Sequence, residues 1–232
     1  MDWKKLWKKT WYFIWESDSI LSWIVNIILA FVIIKFLIYP GLGLVMQTSY
    51  PVVAVVSGSM EHAYTPKLDS SGEYTLSPDG EKLIYIYCSD FYYKEKSTLN
   101  FRDFRDIDDF WKNCGGWYEE NNITQTQFES FSFSNGFNKG DIIVLYGSKS
   151  KDINRGDVIV FQSNSHYPII HRVVDKWKDE EEWFLKTKGD NNGDSYDSLG
   201  ETEISEERVI GKSIFKVPYL GWIKIFFVEI LR

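Results

Sequence analysis

Apolar positions are spread very unevenly along the chain. From Ile20 to Ile38 they are almost continuous (ILSWIVNIILAFVIIKFLI), and these 19 residues, rising about 1.5 Å each, match the roughly 30 Å hydrocarbon core of a bilayer. The run predicts a transmembrane helix. Asn26 interrupts it tolerably, Lys35 can snorkel from its far end, and Tyr39, Pro40 and Gly41 are expected to break it. Ahead of it, Trp3, Trp7, Trp11 and Trp15 recur every fourth residue among Lys4, Lys5, Lys8 and Lys9. That spacing draws an indole stripe beside cations and predicts an amphipathic helix in the membrane interface; a Trp-rich helix packed on its own domain would show the same pattern. A cleaved signal peptide has a shorter apolar region, about 7 to 15 residues, and no small-x-small site closes this one, so the segment reads as a retained anchor. The lysine cluster puts the N-terminus in the cytoplasm and the chain after about residue 47 outside.

Beyond the anchor the pattern changes to short strands. Val52 to Val56 is apolar and β-branched, suited to a strand covered on both faces or lying close to the membrane. Asp141 to Tyr146, Asp157 to Phe161, Pro168 to Asp175, Glu182 to Lys188 and Val209 to Val217 are further strand candidates. Turns at Lys139-Gly140, Asn154-Arg155-Gly156 and Gly189 to Gly193 separate them. Residues 61 to 138 differ: they hold 14 acidic and 7 basic side chains and 17 of the chain's 40 aromatics, with little regular periodicity. The segment is too aromatic for a disordered linker and reads as an inserted subdomain. The predicted organisation is an interfacial segment at 1–19, an anchor at 20–46, a mainly β domain from 47–60 and 139–218, the insertion at 61–138, and an apolar C-terminal stretch at 219–232. Tyr219 to Leu231 is too short to span and is interrupted by Lys224 and Glu229, so it reads as an interfacial or core helix.

Composition sharpens the picture in three places. The mean hydropathy of −0.26 looks soluble only because an apolar anchor is averaged with an acidic insertion. A net charge of −7 and an isoelectric point near 5.1 provide no basic surface for nucleic acid. Two cysteines, Cys88 and Cys114, exclude a disulfide-dense scaffold and a four-thiolate zinc site. Both fall in the insertion, on the oxidising side of the membrane, where one disulfide or two buried thiols are open alternatives. Asn122-Ile123-Thr124 fits the N-glycosylation acceptor pattern of an external loop.

The residues able to do chemistry are few. Ser57-Gly58-Ser59-Met60 forms a small-residue turn directly after the first strand; a serine there becomes a nucleophile only if a base accepts its proton and donors receive the oxyanion. Among three histidines, His171 alternates with Ile169 and Val173 on one strand face, where desolvation favours the neutral ring that a general base needs. A satisfied core histidine would look the same. His62 and His166 sit in polar, loop-like contexts and read as surface residues, with His62 a minor alternative base because it lies close to Ser59. Asp190, Asp194 and Asp197 cluster in the Gly189 to Ser198 turn, where one carboxylate could orient a histidine or simply cap its own backbone. The turn lacks the ligand spacing of a calcium loop.

Ser57-Gly58-Ser59-Met60, Lys139-Gly140-Asp141-Ile142-Ile143, Arg155-Gly156-Asp157-Val158-Ile159, Ile170-His171-Arg172-Val173 and Lys188-Gly189-Asp190-Asn191-Asn192 occur in that order. The series resembles the ordered boxes of type I signal peptidases. The resemblance covers residues 20–60 and 139–220 and leaves the insertion unexplained. Histidine before Arg172, where bacterial members carry lysine, resembles the archaeal and endoplasmic-reticulum branch. Two features depart from the pattern: His62 stands where proline is common, and 78 residues separate the serine box from the second box.

The resemblance implies a signal-peptidase-like β domain and a membrane-bound serine endopeptidase that removes signal peptides from secretory preproteins after small residues. It implies Ser59 as nucleophile, His171 as base, and Ser57 with the Ser59 backbone N–H at the oxyanion. The family's second aspartate would fall at Tyr196, so Asp197, which fits the bacterial spacing, is the expected partner of His171, followed by Asp190 and then Asp194. Val52, Val53, Ala54, Val55 and Val56 are expected to pair with the extended substrate. No cofactor is expected; preproteins and the bilayer are the expected partners, with an archaeal plasma membrane preferred to the reticulum. The alternative is a non-catalytic anchored binding protein whose working surface is the insertion.

Overall fold

The computed structural model describes residues 2–95, 103–165 and 167–223, and it divides into two compact units, Met1–Pro51 and Val52–Arg232. His166 and the C-terminal stretch 224–232 lie outside the described residues, so the readings of that histidine and of the terminal apolar helix are carried no further.

The first unit is helical. Helix α1 (Trp3–Trp15) is capped by Asp2 and buries none of its residues. Helix α2 (Ile20–Ile33) starts at the Ser19 cap, passes through a π-helical turn at Ile34–Ile38 and continues as α3 (Tyr39–Met46). The result is one apolar helix of 27 residues, Ile20–Met46, long enough to cross a membrane. The expected break at Tyr39-Pro40-Gly41 does not occur. Pro40 enters at the first turn of α3, and the preceding π-turn shifts the carbonyl ladder around a residue with no N–H to donate. Asn26 also has a use: its Nδ2 donates to the Ile14 carbonyl (2.8 Å), and Ser22 Oγ donates to the Phe13 carbonyl. These bonds satisfy carbonyls at the end of α1 that the helix itself leaves open.

The second unit is mainly β, as the sequence predicts, with two antiparallel sheets. The larger sheet has the order β1 (Val52–Ala54), β6 (Ile142–Tyr146), β10 (Val209–Val217), β7 (Val158–Gln162), β8 (Pro168–Asp179), β9 (Glu182–Lys188). All six strands start within one residue of their predicted bounds; β8 runs four residues further, to Asp179, and β1 stops two short, at Ala54, leaving Val56 exposed. The glycines of the two Gly-Asp turns have φ of +94° at Gly140 and +93° at Gly156, a region costly for any side chain. The aspartates close those turns: Asp141 accepts from the Asn138 N–H (2.9 Å), and Asp157 from the Asn154 N–H (2.7 Å). These boxes are therefore strand-entry corners.

The insertion is more regular than its sequence suggests. Strands β2 (Ala63–Pro66), β3 (Lys82–Tyr87), β4 (Asp90–Glu95) and β5 (Asp103–Phe104) form a sheet in the order β4-β3-β2-β5, followed by helices α4 (Ile107–Glu120) and α5 (Gln125–Ser130). Leu83, Tyr85 and Tyr87 alternate inward and join Phe110, Trp111, Tyr118 and Phe128 in an aromatic core that also takes in Val174 of β8. The insertion thus shares a core with the larger sheet. Cys88 and Cys114 are disulfide-bonded, tying the β3–β4 turn to α4.

Candidate active site

Strand β8 sets the site. Val173 packs with Ile153, Ile159 and Leu185, and Ile169 leans on that cluster, whereas Ile170 packs toward Val55, Met60 and Val158. With both strand faces covered, His171 is 2 % exposed and Arg172 fully buried, so each needs a polar partner.

His171 lies between a hydroxyl and a carboxylate. Its Nε2 is 2.9 Å from Ser59 Oγ, and its Nδ1 meets Glu201 Oε1 in a short contact. A carboxylate can only accept, so Nδ1 carries the ring proton and Nε2 presents a lone pair to the Ser59 O–H. Glu201 is fully buried and fixed in turn: Oε2 accepts from the Tyr196 N–H (2.9 Å), and the Glu201 carbonyl accepts from the Thr187 N–H (2.9 Å). Ser59 is half-buried and Ser57 exposed, with their hydroxyl oxygens 3.2 Å apart. Gly189 is required beside them, because a Cβ there would stand 2.7 Å from His171 Nε2.

The three aspartates are placed differently from the sequence reading. The carboxylate facing His171 is Glu201; Asp197, the expected partner, is exposed and accepts from Thr202 Oγ1 (2.6 Å). Asp194 accepts from Trp117 Nε1 (2.8 Å). Asp190 is buried in a second network, where Arg172 binds it in bidentate fashion (Nε–Oδ1 2.9 Å, Nη2–Oδ2 2.8 Å), Tyr118 donates to Oδ1 (3.0 Å) and His62 Nε2 donates to Oδ2 (3.1 Å). His62 is therefore a core residue, 4 % exposed and stacked on Phe110 at 3.7 Å, where the sequence suggested surface. The remaining Arg172 donors reach the Ser132, Gly156 and Phe133 carbonyls, so all five N–H groups are engaged. Burial pushes the Asp190 carboxyl up, but the Arg172 charge and the His62 hydrogen bond outweigh it and hold the group well below the usual carboxylate range. Burial also brings Lys188 down to about 8, against the opposing charges of Asp190 and Glu201.

Asp190→Asn is therefore expected to strand a buried guanidinium and to cost about 3–5 kcal/mol of stability. A urea midpoint unchanged in the full-length variant would contradict this structural role.

Glu201 is not among the residues the sequence points to, because it lies beyond the Gly189 to Ser198 turn that holds the aspartates. The segment after Gly200 returns antiparallel to β9: Ile204 and Leu185 exchange both backbone bonds, and the Glu201 carbonyl accepts from the Thr187 N–H. Glu203, next to the buried Ile204, is exposed, so no local pattern marks Glu201 as the acid that the fold turns inward.

A cavity of about 1000 Å3 opens beside the nucleophile turn, lined by Gly58 and Glu61 on one side and by Leu68, Tyr74, Phe104 and Trp222 among others. Among the described residues, no cluster of three or more His, Cys, Asp or Glu side chains could hold a metal ion.

Comparison with known proteins bears out the resemblance drawn from the ordered boxes. The chain has homologues named signal peptidase complex catalytic subunit SEC11. It is 33% identical to that of Plasmodium falciparum over 105 residues, 43% of this chain and 56% of the relative. It is 32% identical to that of Zygosaccharomyces rouxii over 106 residues, and 34% identical to that of Lachancea thermotolerans over 108, in each case 43% of this chain and 63% of the relative. The chain thus spans somewhat more than half the length of these relatives. No protein-family model matches the chain, and no solved structure does.

Proposed function

We propose that this chain is a membrane-anchored serine endopeptidase that removes N-terminal signal peptides from secretory preproteins by an acyl-enzyme mechanism. The observation that carries the reading is the line Ser59–His171–Glu201, whose serine and histidine belong to boxes whose order resembles that of signal peptidases. His171 Nε2 takes the proton of Ser59 as Oγ attacks the scissile carbonyl, then returns it to the leaving amine. Water enters by the same base and frees the acyl group. Glu201 holds the tautomer and stabilises the imidazolium. Ser57 and the Ser59 N–H receive the oxyanion.

The substrate segment is proposed to lie along β1, the terminal strand of the larger sheet. There Val52, Val53 and Ala54 offer backbone pairing while alternate side chains enter pockets that accept small residues at the first and third positions before the cut. The 27-residue helix Ile20–Met46 is proposed to span the membrane, with α1 in its interface and the N-terminus cytoplasmic. The relatives are named as subunits of a complex and come from eukaryotes, which favours the endoplasmic-reticulum membrane and further subunits; the archaeal plasma membrane preferred on sequence alone gains no support from them.

The test is cleavage of a preprotein with an Ala-x-Ala site by the full chain in lipid vesicles, the product identified by mass. Cleavage after the second alanine is expected, with loss of cleavage when that alanine is replaced by a bulky residue. An inert full-length protein, in vesicles where a preparation containing a known signal peptidase cleaves the same substrate, would overturn the reading in favour of an anchored binding protein.

A further inference from the structure

The insertion grips the loop that adjoins the nucleophile and base. Asn191 is the junction. Its backbone N–H donates to the Ser59 carbonyl (2.8 Å), its Nδ2 donates to the Gly58 carbonyl (3.3 Å), and its Oδ1 accepts from the Cys88 N–H (2.7 Å). Two residues on, the Gly193 N–H donates to Ser89 Oγ (2.7 Å), while Trp117 and Tyr118 of α4 hold Asp194 and Asp190. The five-residue stretch from Asp190 to Asp194 is thus joined to the insertion by five hydrogen bonds, counting that from His62 to Asp190, while its neighbour Gly189 lies against His171.

The gripping turn is itself costly to form. Cys88 and Ser89 are the two central residues of the β3–β4 hairpin, with φ of +51° and +68°. Two consecutive non-glycine residues in the left-handed region cost about 1–2 kcal/mol each. The disulfide to Cys114 anchors this turn on the same helix that holds Asp190 and Asp194.

We propose that the insertion is a positioning clamp: the Cys88-Ser89 turn and α4, joined by the disulfide, fix the Gly189–Asp194 loop, and Asn191 transmits that restraint to Ser59. The proposal rests on the peptidase reading for its kinetic consequence but not for its structural one. Unclamped, the loop loses the bonds that hold the Gly58–Ser59 carbonyls, and a misplacement of about 1 Å in a reacting group costs about 100-fold in rate.

The test uses the full chain in lipid vesicles, with Asn191→Ala, Ser89→Ala and the pair Cys88→Ser with Cys114→Ser. It reads kcat and KM separately on a preprotein, together with hydrogen exchange of the 189–194 amides. Asn191→Ala is expected to lower kcat about 10- to 100-fold with KM within about threefold. Ser89→Ala, the mildest change, and the cysteine pair are expected to lower loop protection at least about tenfold while β8 and β9 keep theirs. Unchanged loop protection in these two variants, protection lost equally across β8 and β9, or a raised KM with unchanged kcat for Asn191→Ala would each overturn the clamp. If the unmodified chain cleaves no preprotein, the peptidase reading fails, and the exchange measurement alone decides the clamp.

Discussion

Ser59→Ala is expected to lower preprotein cleavage by about 10⁶-fold, to background, while leaving the protein folded. The magnitude follows from what the hydroxyl does: without a nucleophile, neither His171 nor the oxyanion donors have a reacting group to act on, and losing the nucleophile of a Ser-His pair costs about as much as losing the whole set. The fold should tolerate the change. Ser59 is half-buried, its backbone bond from Asn191 survives the substitution, and no core cluster includes its side chain. The variant is checked by single-turnover cleavage in vesicles beside its thermal unfolding. Cleavage within tenfold of the unmodified protein would remove Ser59 from the mechanism, and Ser57, whose Oγ lies 3.2 Å away, would be the next residue to replace.

Glu201→Gln is expected to lower kcat by about 10⁴-fold, whereas Asp197→Ala should stay within about threefold of the unmodified rate. Glutamine keeps the shape but can donate to Nδ1, which moves the ring proton to Nε2 and turns the base away from Ser59; it also lacks the charge that stabilises the imidazolium. Asp197 is exposed and accepts from Thr202 within its own turn, so its loss touches neither the imidazole nor the serine. Paired kcat measurements at one pH distinguish the two carboxylates. The reverse ranking would restore the aspartate assignment suggested by sequence spacing.

Much of this site can be read from the chain, because strand alternation and turn residues are local. Glu182–Lys188 and Val209–Val217 have the bounds that their apolar runs suggest, and alternation of His171 with Ile169 and Val173 places its ring on an apolar strand face, where it is buried. Arg172 carried a further hint, since a charge alternating with Ile170 and Val174 must be buried and paired. The carboxylate assignments were not legible, because which acid reaches an imidazole depends on how the 200–204 segment folds back on β9, a tertiary event. The insertion was partly legible after all. Thr124-x-x-Gln127 forms a capping box at α5, and Asp106 caps α4, both signals of helix starts; the density of aromatics hid them. The π-turn that carries the helix past Pro40 has no local sequence signature, since proline after an apolar run ordinarily signals an end.

The most direct measurement of the central claim is covalent trapping. A peptide diphenyl phosphonate ending in Ala-x-Ala transfers its phosphonyl group to an activated serine oxygen with loss of phenoxide, and peptide mass mapping locates the bond. One adduct on Ser59 is expected, absent from Ser59→Ala and formed at least about 100-fold more slowly in His171→Ala. An adduct on any other residue, or labelling of Ser59 at the same rate without His171, would contradict the Ser59–His171 mechanism.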